Sequence, residues 1–510
     1  ERAFDHIEQI AKVPHTIEDK DALEDVREYL VSQLNILGVQ NEITTYTQED
    51  DEYDITEVNN ILVTIPGESD SYILLVAHYD SSPAKRIGEE TGSLGAADDG
   101  YGLSTILETL NVLLKNNVEL NNGIKVLFSD AEEIGLYGAK REVERNPSFF
   151  SDVAIVINIE ARGVKGPSIM FQTSLDNYKV MKFYQKADYP VSFSLAGDVY
   201  SRMPNSTDFT PMLEEGLVGL NMAVLDNLDY YHTPKDNPDN VNMSSLQHYG
   251  AVIYPLVKEF VTNEDYGDVN YFESTKGATY FTLLPNIFVV YSTTTQLVLV
   301  ILTLVIFFIN IYDSIKDKEI IGKRLLKCTG VWTLVMILLL IDGLIVSLIL
   351  SWISGIPFSL TYMPKVPLAL GFMILIVVLD SVALFYLGKK ITELKDNQNS
   401  LLYGGLILNA IFMVLFTIVL PGGVYLFMIP LLTANIVLHL IHLLKKKHIG
   451  SQRVYVIMES INIIIPLVLF APIIYLLYLA LTIGALAICT MFLVFPFAIV
   501  IPTIERLNKI

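Results

Sequence analysis

Cysteine is nearly absent from this chain of 510 residues. Only Cys328 and Cys489 occur, both in the second half, so nothing before residue 286 can form a disulfide. A small secreted fold stapled by disulfides is thereby excluded. Positive charge is scarce in the same region. Before residue 286 there are 20 Lys+Arg against 47 Asp+Glu, whereas from there on there are 15 against 9. A body this acidic disfavours nucleic acid, because phosphates are met by Lys and Arg, and no basic patch with interleaved aromatics occurs. The sequence also opens at Glu1 without Met or signal peptide, so an upstream anchor or signal is expected. An acidic half without a disulfide is usual for a bacterial surface enzyme and less so for a luminal eukaryotic one.

What the second half has in excess is apolar length. About 20 apolar residues are needed to cross a bilayer. Seven stretches reach that, near 291–312, 330–353, 366–388, 402–420, 424–444, 455–478 and 481–502. Basic residues mark every second loop: Lys316, Lys318, Lys323, Arg324 and Lys327 after the first span; Lys389, Lys390 and Lys395 after the third; Lys445, Lys446, Lys447 and Arg453 after the fifth; Arg506 and Lys509 in the tail. The alternate loops hold only Lys365. Basic loops stay in the cytoplasm, so the acidic half is expected outside it. Asp342 and Asp380 fall within spans, where insertion costs roughly 2.5–3.5 kcal/mol each. They line a polar pathway or bond to a neighbouring helix. His439 and His442 either bind metal or sit at the interface beside the lysine run.

The first half begins with helical periodicity in "ERAFDHIEQIAKV" and "DALEDVREYLVSQLNILG". Short apolar strands follow: "NNILVTI", "SYILLVA", "IKVLFSD", "DVAIVINIE" and "GLNMAVL", several separated by helical segments. This predicts an α/β fold: a mixed, centrally parallel sheet flanked by helices over 1–285, then an all-α polytopic membrane domain over 286–510. In such sheets ligands gather at the carboxyl ends of strands. That is where the unusual polar residues fall. "LLVAHYD" ends in His78 and Asp80, "GSLGAADDG" carries Asp98 and Asp99 before a helix, and "VLFSDAEE" ends in Glu132 and Glu133. "IVINIEARG" carries Glu160 and Arg162, and "LDYYHTPKDN" carries Tyr231 and His232. Each piece alone has a bland reading: a structural His, an N-cap pair, acids at a helix start. Together they would repel one another without a cation. Mixed His and carboxylate donors suit zinc, and a carboxylate can bridge two ions.

The order of these motifs resembles the di-zinc aminopeptidase family that includes aminopeptidase Y and glutamate carboxypeptidase II. Its signature is His-x-Asp, Gly-Ala-x-Asp-(Asp/Asn), Glu-Glu-x-Gly, Asn-x-(Asp/Glu) and a late His. The resemblance covers roughly residues 1–260 and implies roles. His78 and Glu160 would bind one zinc, Glu133 and His232 a second, and Asp98 would bridge them. Asp80 would orient His78, Glu132 would be the general base, and Tyr231 would polarise the scissile carbonyl. Asp208, in "NSTDFTPM", matches a pocket-shaping pattern of relatives and, with Arg162, is a candidate substrate contact. Many soluble members have Asp where this chain has Glu160. The Asp98–Asp99 peptide is expected to be cis. "NIEARGVKGPSIMFQTS" and "ATYFTLLPNIFVVYS" look like the membrane-embedded branch, which includes the vacuolar membrane protease and the endoplasmic reticulum metallopeptidase.

The function implied is hydrolysis of peptides by two zinc ions per chain, at the free amino end, next to a lipid bilayer and with no nucleic-acid partner; a homo-oligomer is left open. Three alternatives stand beside it: a single-zinc glutaminyl cyclase, a non-enzymatic receptor or assembly subunit on the same fold, and a transporter or lipid-handling protein with an accessory peptidase domain.

Overall fold

The computed structural model describes every residue except 361, 362, 364, 365, 394–397, 448, 450, 509 and 510, and leaves out the side chains of 391–393. Lys365, Lys395 and Lys509 of the charge pattern therefore lie outside the described residues. The chain divides into two compact units, Glu1–Ser292 and Thr293–Ile510.

The first unit is built on a seven-stranded sheet. In chain order its strands are β1 (Asn41–Asp50), β2 (Ile55–Ile65), β3 (Tyr72–His78), β4 (Gly123–Ser129), β5 (Val153–Ala161), β6 (Ile169–Thr173) and β7 (Gly219–Val224). Their spatial order is β1-β2-β4-β3-β5-β7-β6. The centre, β4-β3-β5-β7, is parallel, while β1, β2 and β6 are antiparallel additions at the two edges. The mixed, centrally parallel sheet expected from the sequence is thus present, with helices on both faces.

Every residue of β3, β4 and β5 is buried. Strands covered on both faces read as continuous apolar runs, which is why these were visible in the sequence. Along β3 the side chains alternate between two cores. Ile73, Leu75 and Ala77 join the core that includes Ile106 and Leu110 of helix Gly100–Lys115 and Val252 and Leu256 of helix Met243–Thr262. Leu74 and Val76 join the opposite core with Ala139, Val143, Phe149 and Met212. Polar-rich β1 carries no apolar run, since it lies at the edge with only one of its residues buried. A separate hairpin of β8 (Ala278–Leu284) and β9 (Ile287–Ser292) ends the unit.

Among the described residues the second unit has seven helices long and apolar enough to cross a membrane: Thr293–Lys316, Gly322–Ser354, Ala369–Lys390, Gln398–Val419, Pro421–Lys446, Gln452–Leu481 and Ile483–Leu507. The last is broken into a 3-10 turn and the helices Leu486–Phe492 and Val494–Leu507. A single residue, Thr482 at φ 59°, makes the tight link after the sixth. Buried polar groups tie the bundle. Arg506 pairs with Glu459 at 2.7 Å, and Asn310 bonds Asn435 at 3.0 Å and His439 Nδ1 at 3.1 Å. His442 lies between Asp317 (3.3 Å) and Glu319 (3.6 Å), one at each ring nitrogen, so the two acids do not share one donor atom. Among the described residues neither His439 nor His442 joins a group of three metal-type donors. Asp380 is buried with Oδ2 unpartnered, whereas Asp342 is exposed on its helix.

Candidate metal centre

The carboxyl ends of the parallel strands and the loops after them converge on one point. His78 is the last residue of β3 and pairs in register with Ser129, the last of β4. Two residues beyond Ser129, Ala131 turns the chain at φ 53°, and a four-residue helical turn, Glu132–Gly135, begins at once. Glu160 lies one residue before the end of β5. His232, at φ 54°, follows the 3-10 turn Leu228–Tyr230 after β7. Asp98 precedes Asp99, which caps helix Gly100–Lys115 by accepting the Gly102 N–H at 3.0 Å; the peptide between the two is cis.

Asp98 stands in the middle. Its Oδ1 is 3.3 Å from His78 Nε2, and its Oδ2 is 3.3 Å from His232 Nε2. His78 Nε2 is also 3.7 Å from Glu160 Oε2, and His232 Nε2 is 2.9 Å from Glu133 Oε2. Three overlapping groups of metal-type donors result: His78, Asp98 and Glu160; Asp98, Glu133 and His232; and His78, Glu132 and Glu133, each with its donor atoms within 4.8 Å of one another. All five residues named from the sequence as metal ligands, together with Glu132, therefore lie in one cluster.

The groups around the cluster hold it in place. His78 Nδ1 is 2.8 Å from the carbonyl oxygen of Asp80 and 3.4 Å from its Oδ1, so the backbone makes the closer contact. The Asp80 carboxylate instead accepts the N–H groups of Glu132 (3.0 Å) and Glu133 (3.1 Å). Asn158 donates to Glu160 Oε1 at 3.0 Å. Tyr231 stacks on His232, ring centroids 3.6 Å apart. Asp208 is buried, and its Oδ2 accepts from Ser129 Oγ at the end of β4. Arg162 is half-buried, its N–H bonded to Val224 O at 2.9 Å, and its charge is felt by both Tyr200 and Tyr231.

Three neighbours escaped the sequence reading. Asp236 accepts the N–H groups of Ala97 (2.7 Å) and Asp98 (3.1 Å), and so fixes the loop that carries Asp98. It sits in the quoted "HTPKDN", four residues after His232, where only the histidine drew attention. Tyr200 keeps its hydroxyl buried and unpartnered, within electrostatic reach of Glu160 and Glu132. Arg86 comes within 3.7 Å of Glu133 Oε2. Neither of the last two has a local signal in sequence.

Burial and like charge together set the electrostatics of the cluster. Burial raises the pKa of Glu132, Glu133 and Glu160, and neighbouring carboxylates add to it. Burial opposes charge on the histidines too. Glu133 and Asp98 nevertheless hold His232 up at about 9, and Asp80 and Asp98 raise His78 well above its usual range. Burial likewise opposes the Asp98 charge, but His232 and His78 outweigh it and hold that carboxyl low. Four carboxylates thus face two imidazoles. Both Glu133 oxygens and His232 Nε2 are buried, and none makes an aligned hydrogen bond even though His232 Nε2 and Glu133 Oε2 lie 2.9 Å apart. Orphaned donor atoms aimed together, of the His and carboxylate types zinc prefers, fit a bound divalent cation.

The profile of peptidase family M28 matches residues 60–257. The vacuolar membrane protease of Candida dubliniensis is 30% identical over 275 residues, covering 51% of this chain and 28% of that protein. The putative endoplasmic reticulum metallopeptidase 1 of Schizosaccharomyces pombe is 31% identical over 230 residues, covering 44% and 26%. The chain thus spans little more than a quarter of the length of these relatives. Two solved structures resemble the chain over about half its length. A Zn-dependent exopeptidase from Parabacteroides distasonis has TM-score 0.41 and 20% identity, covering 51% of this chain and 97% of the other. A Porphyromonas gingivalis glutaminyl cyclase has TM-score 0.42 and 18% identity, covering 51% and 98%. The family match runs from β2 into helix Met243–Thr262 and includes all six clustered residues, so the part of the first unit that carries the cluster is the part that resembles peptidase family M28.

Proposed function

We propose that this chain is a membrane-anchored di-zinc metallopeptidase that acts as an aminopeptidase outside the cytoplasm. The observation that supports it best is Asp98, whose two oxygens each face a different histidine at 3.3 Å, as a bridging ligand would. In this reading His78 and Glu160 would hold one zinc, Glu133 and His232 the other, and Asp98 would contribute to both. Bound zinc supplies Lewis acidity and lowers the pKa of a water to roughly 7.

The chain's own groups do the rest. Glu132 takes a proton from the attacking water and returns it to the leaving amine. Adjacent side chains on a helical turn point about 100° apart, so Glu132 serves as base while Glu133 ligates. Asp80 fixes both through their N–H groups. Tyr231, held against His232, donates to the scissile carbonyl oxygen. Carboxylates of the cluster meet a free α-amine, which favours cleavage at the amino end. Arg162 and Asp208 shape the substrate pocket, Asp208 from behind the end of β4. The placement of residues 1–285 outside the cytoplasm rests on the alternation of Lys and Arg between loops.

The test is to purify the full chain in detergent, count zinc, and compare peptides with free and acetylated N-termini. Two zinc ions and faster cleavage of the free peptides are expected. Release of C-terminal residues alone removes the aminopeptidase reading and keeps the metallopeptidase one. One zinc with cyclisation of N-terminal glutamine replaces both with a cyclase. A zinc-loaded chain that converts nothing leaves a non-enzymatic role.

A further inference from the structure

Between the first two motifs lies a segment, residues 81–95, that the catalytic reading does not use. Its base is closed by the Ser93 N–H bonding Ser82 O at 2.9 Å and by Ser81 Oγ bonding Ser93 O at 2.7 Å. A helical turn, Ala84–Ile87, rides on that base and ends at Gly88, whose φ of 70° favours a residue without a side chain. Neighbouring side chains on the turn go separate ways. Lys85 pairs with Glu18 at 3.1 Å, bonds the carbonyl of Glu52 and lies over the Tyr53 ring, pinning the turn to the body. Arg86 reaches instead to the metal cluster, Nη1 3.7 Å from Glu133 Oε2, with its side chain 44% exposed.

A guanidinium in this place needs a reason. With two divalent cations held, the charges of Asp98, Glu132, Glu133 and Glu160 are matched one for one, and Arg86 becomes a positive group with no net negative charge left beside it. That arrangement is unfavourable until a further anion arrives. Arg86 is solvent-accessible, fixed at its root by Lys85, and carries a donor fork that matches a carboxylate. An extended peptide advances about 3.3–3.6 Å per residue. A guanidinium within 4 Å of a candidate ligand therefore meets groups on the residues flanking the scissile bond.

We infer that Arg86 is a specificity-determining residue that binds a substrate carboxylate on a residue flanking the cleaved bond. This rests on the peptidase reading above. The carboxylate comes either from an acidic side chain or from the C-terminus of a very short peptide.

The experiment compares wild type, Arg86→Gln and Arg86→Lys in the full zinc-loaded chain. One arm is calorimetric: succinate against its monoamide as ligand, with zinc content measured in parallel. The other is kinetic: Ala-Ala with free and amidated C-termini, and Ala-Glu-amide against Ala-Gln-amide. Loss of a charge-assisted contact weakens binding by about 10- to 100-fold. Arg86→Gln should therefore lose succinate affinity by that factor at wild-type zinc content, and raise KM for the carboxylate member of a pair relative to its amide. Arg86→Lys should recover part of it. The pair that responds identifies the source of the carboxylate. If Arg86→Gln loses zinc, or both members of every pair shift alike, Arg86 merely balances Glu133 and the inference fails. If wild type cleaves nothing, the peptidase reading fails, and succinate binding still decides for or against Arg86.

Discussion

Asp80 holds Glu132 through its backbone: Oδ1 accepts the Glu132 N–H at 3.0 Å while Oδ2 takes that of Glu133 at 3.1 Å. Asp80, expected to orient His78, thus also fixes the turn carrying both glutamates, and meets His78 Nδ1 with its carbonyl oxygen at 2.8 Å and with Oδ1 at 3.4 Å. Asp80→Asn turns one acceptor into a donor facing an N–H. A buried unsatisfied group costs about 1–3 kcal/mol. The melting temperature should fall and turnover should drop at least about 10-fold as the turn loosens. Unchanged melting and turnover would show that the two N–H contacts matter little.

Glu132 and Glu133 should separate cleanly under substitution. Glu132→Gln keeps the shape but removes the base, so zinc stays bound while turnover falls by about 10²-fold or more. Glu133→Gln weakens one zinc and lowers thermal stability, because bound metal stabilises the native state. Zinc content, melting and peptide hydrolysis measured together distinguish the two. Metal loss in the Glu132 variant alone would reverse the assignment.

Chelation should destabilise the first unit more than the second. Buried carboxylates with raised pKa surround Asp98, and removing a cation leaves them facing His78, His232 and, at Glu133, Arg86. Hydrogen exchange with and without a chelator should show lost protection at 130–135 and 226–236, and little change from residue 293 onward. Uniform change along the chain would count against a metal centre in this cluster.

His15, not itself a metal-type donor of the cluster, predicts a further acid-sensitive step, with the charges of Asp80 and His78 within reach of it. Burial lowers its pKa from 6.5 to about 4, although the Val13 carbonyl, 3.2 Å from Nδ1, works the other way. The unfolded chain therefore binds more protons between these values. Stability is full above pH 6.5 and is lost as pH falls toward about 4. The whole effect is at most about 3 kcal/mol. Metal-free wild type should lose melting temperature across this window more steeply than metal-free His15→Asn, whose amide can still donate to Val13. Parallel curves would remove His15 from the account.

Topology can be checked directly. Protease added to intact cells should cut within residues 1–285 and spare the loop at 316–327. The opposite pattern, seen only in inside-out vesicles, would reverse the orientation. The relatives reported above are yeast proteins, and they lend no support to the bacterial source expected from the missing cysteines.

Sequence alone determined the parallel centre of the sheet and the spans. A strand buried on both faces, or a helix in lipid, must be apolar throughout, and that requirement is written locally in β3, β4, β5 and the seven long helices. It also determined which side chains gather, because strand ends in a parallel sheet share one edge. Edge strands β1 and β6 and the hairpin β8–β9 stayed hidden, since a strand with one wet face needs no such run. Only the tertiary structure decided what each group meets. That Asp80 serves Glu132 and Glu133, that Asp236 ties down the Asp98 loop from 138 residues away, and that Arg86 faces Glu133 are contacts between segments distant in sequence. Hydrogen bonds and ion pairs act over a few ångströms of space, and no local pattern encodes a partner that the fold alone brings near.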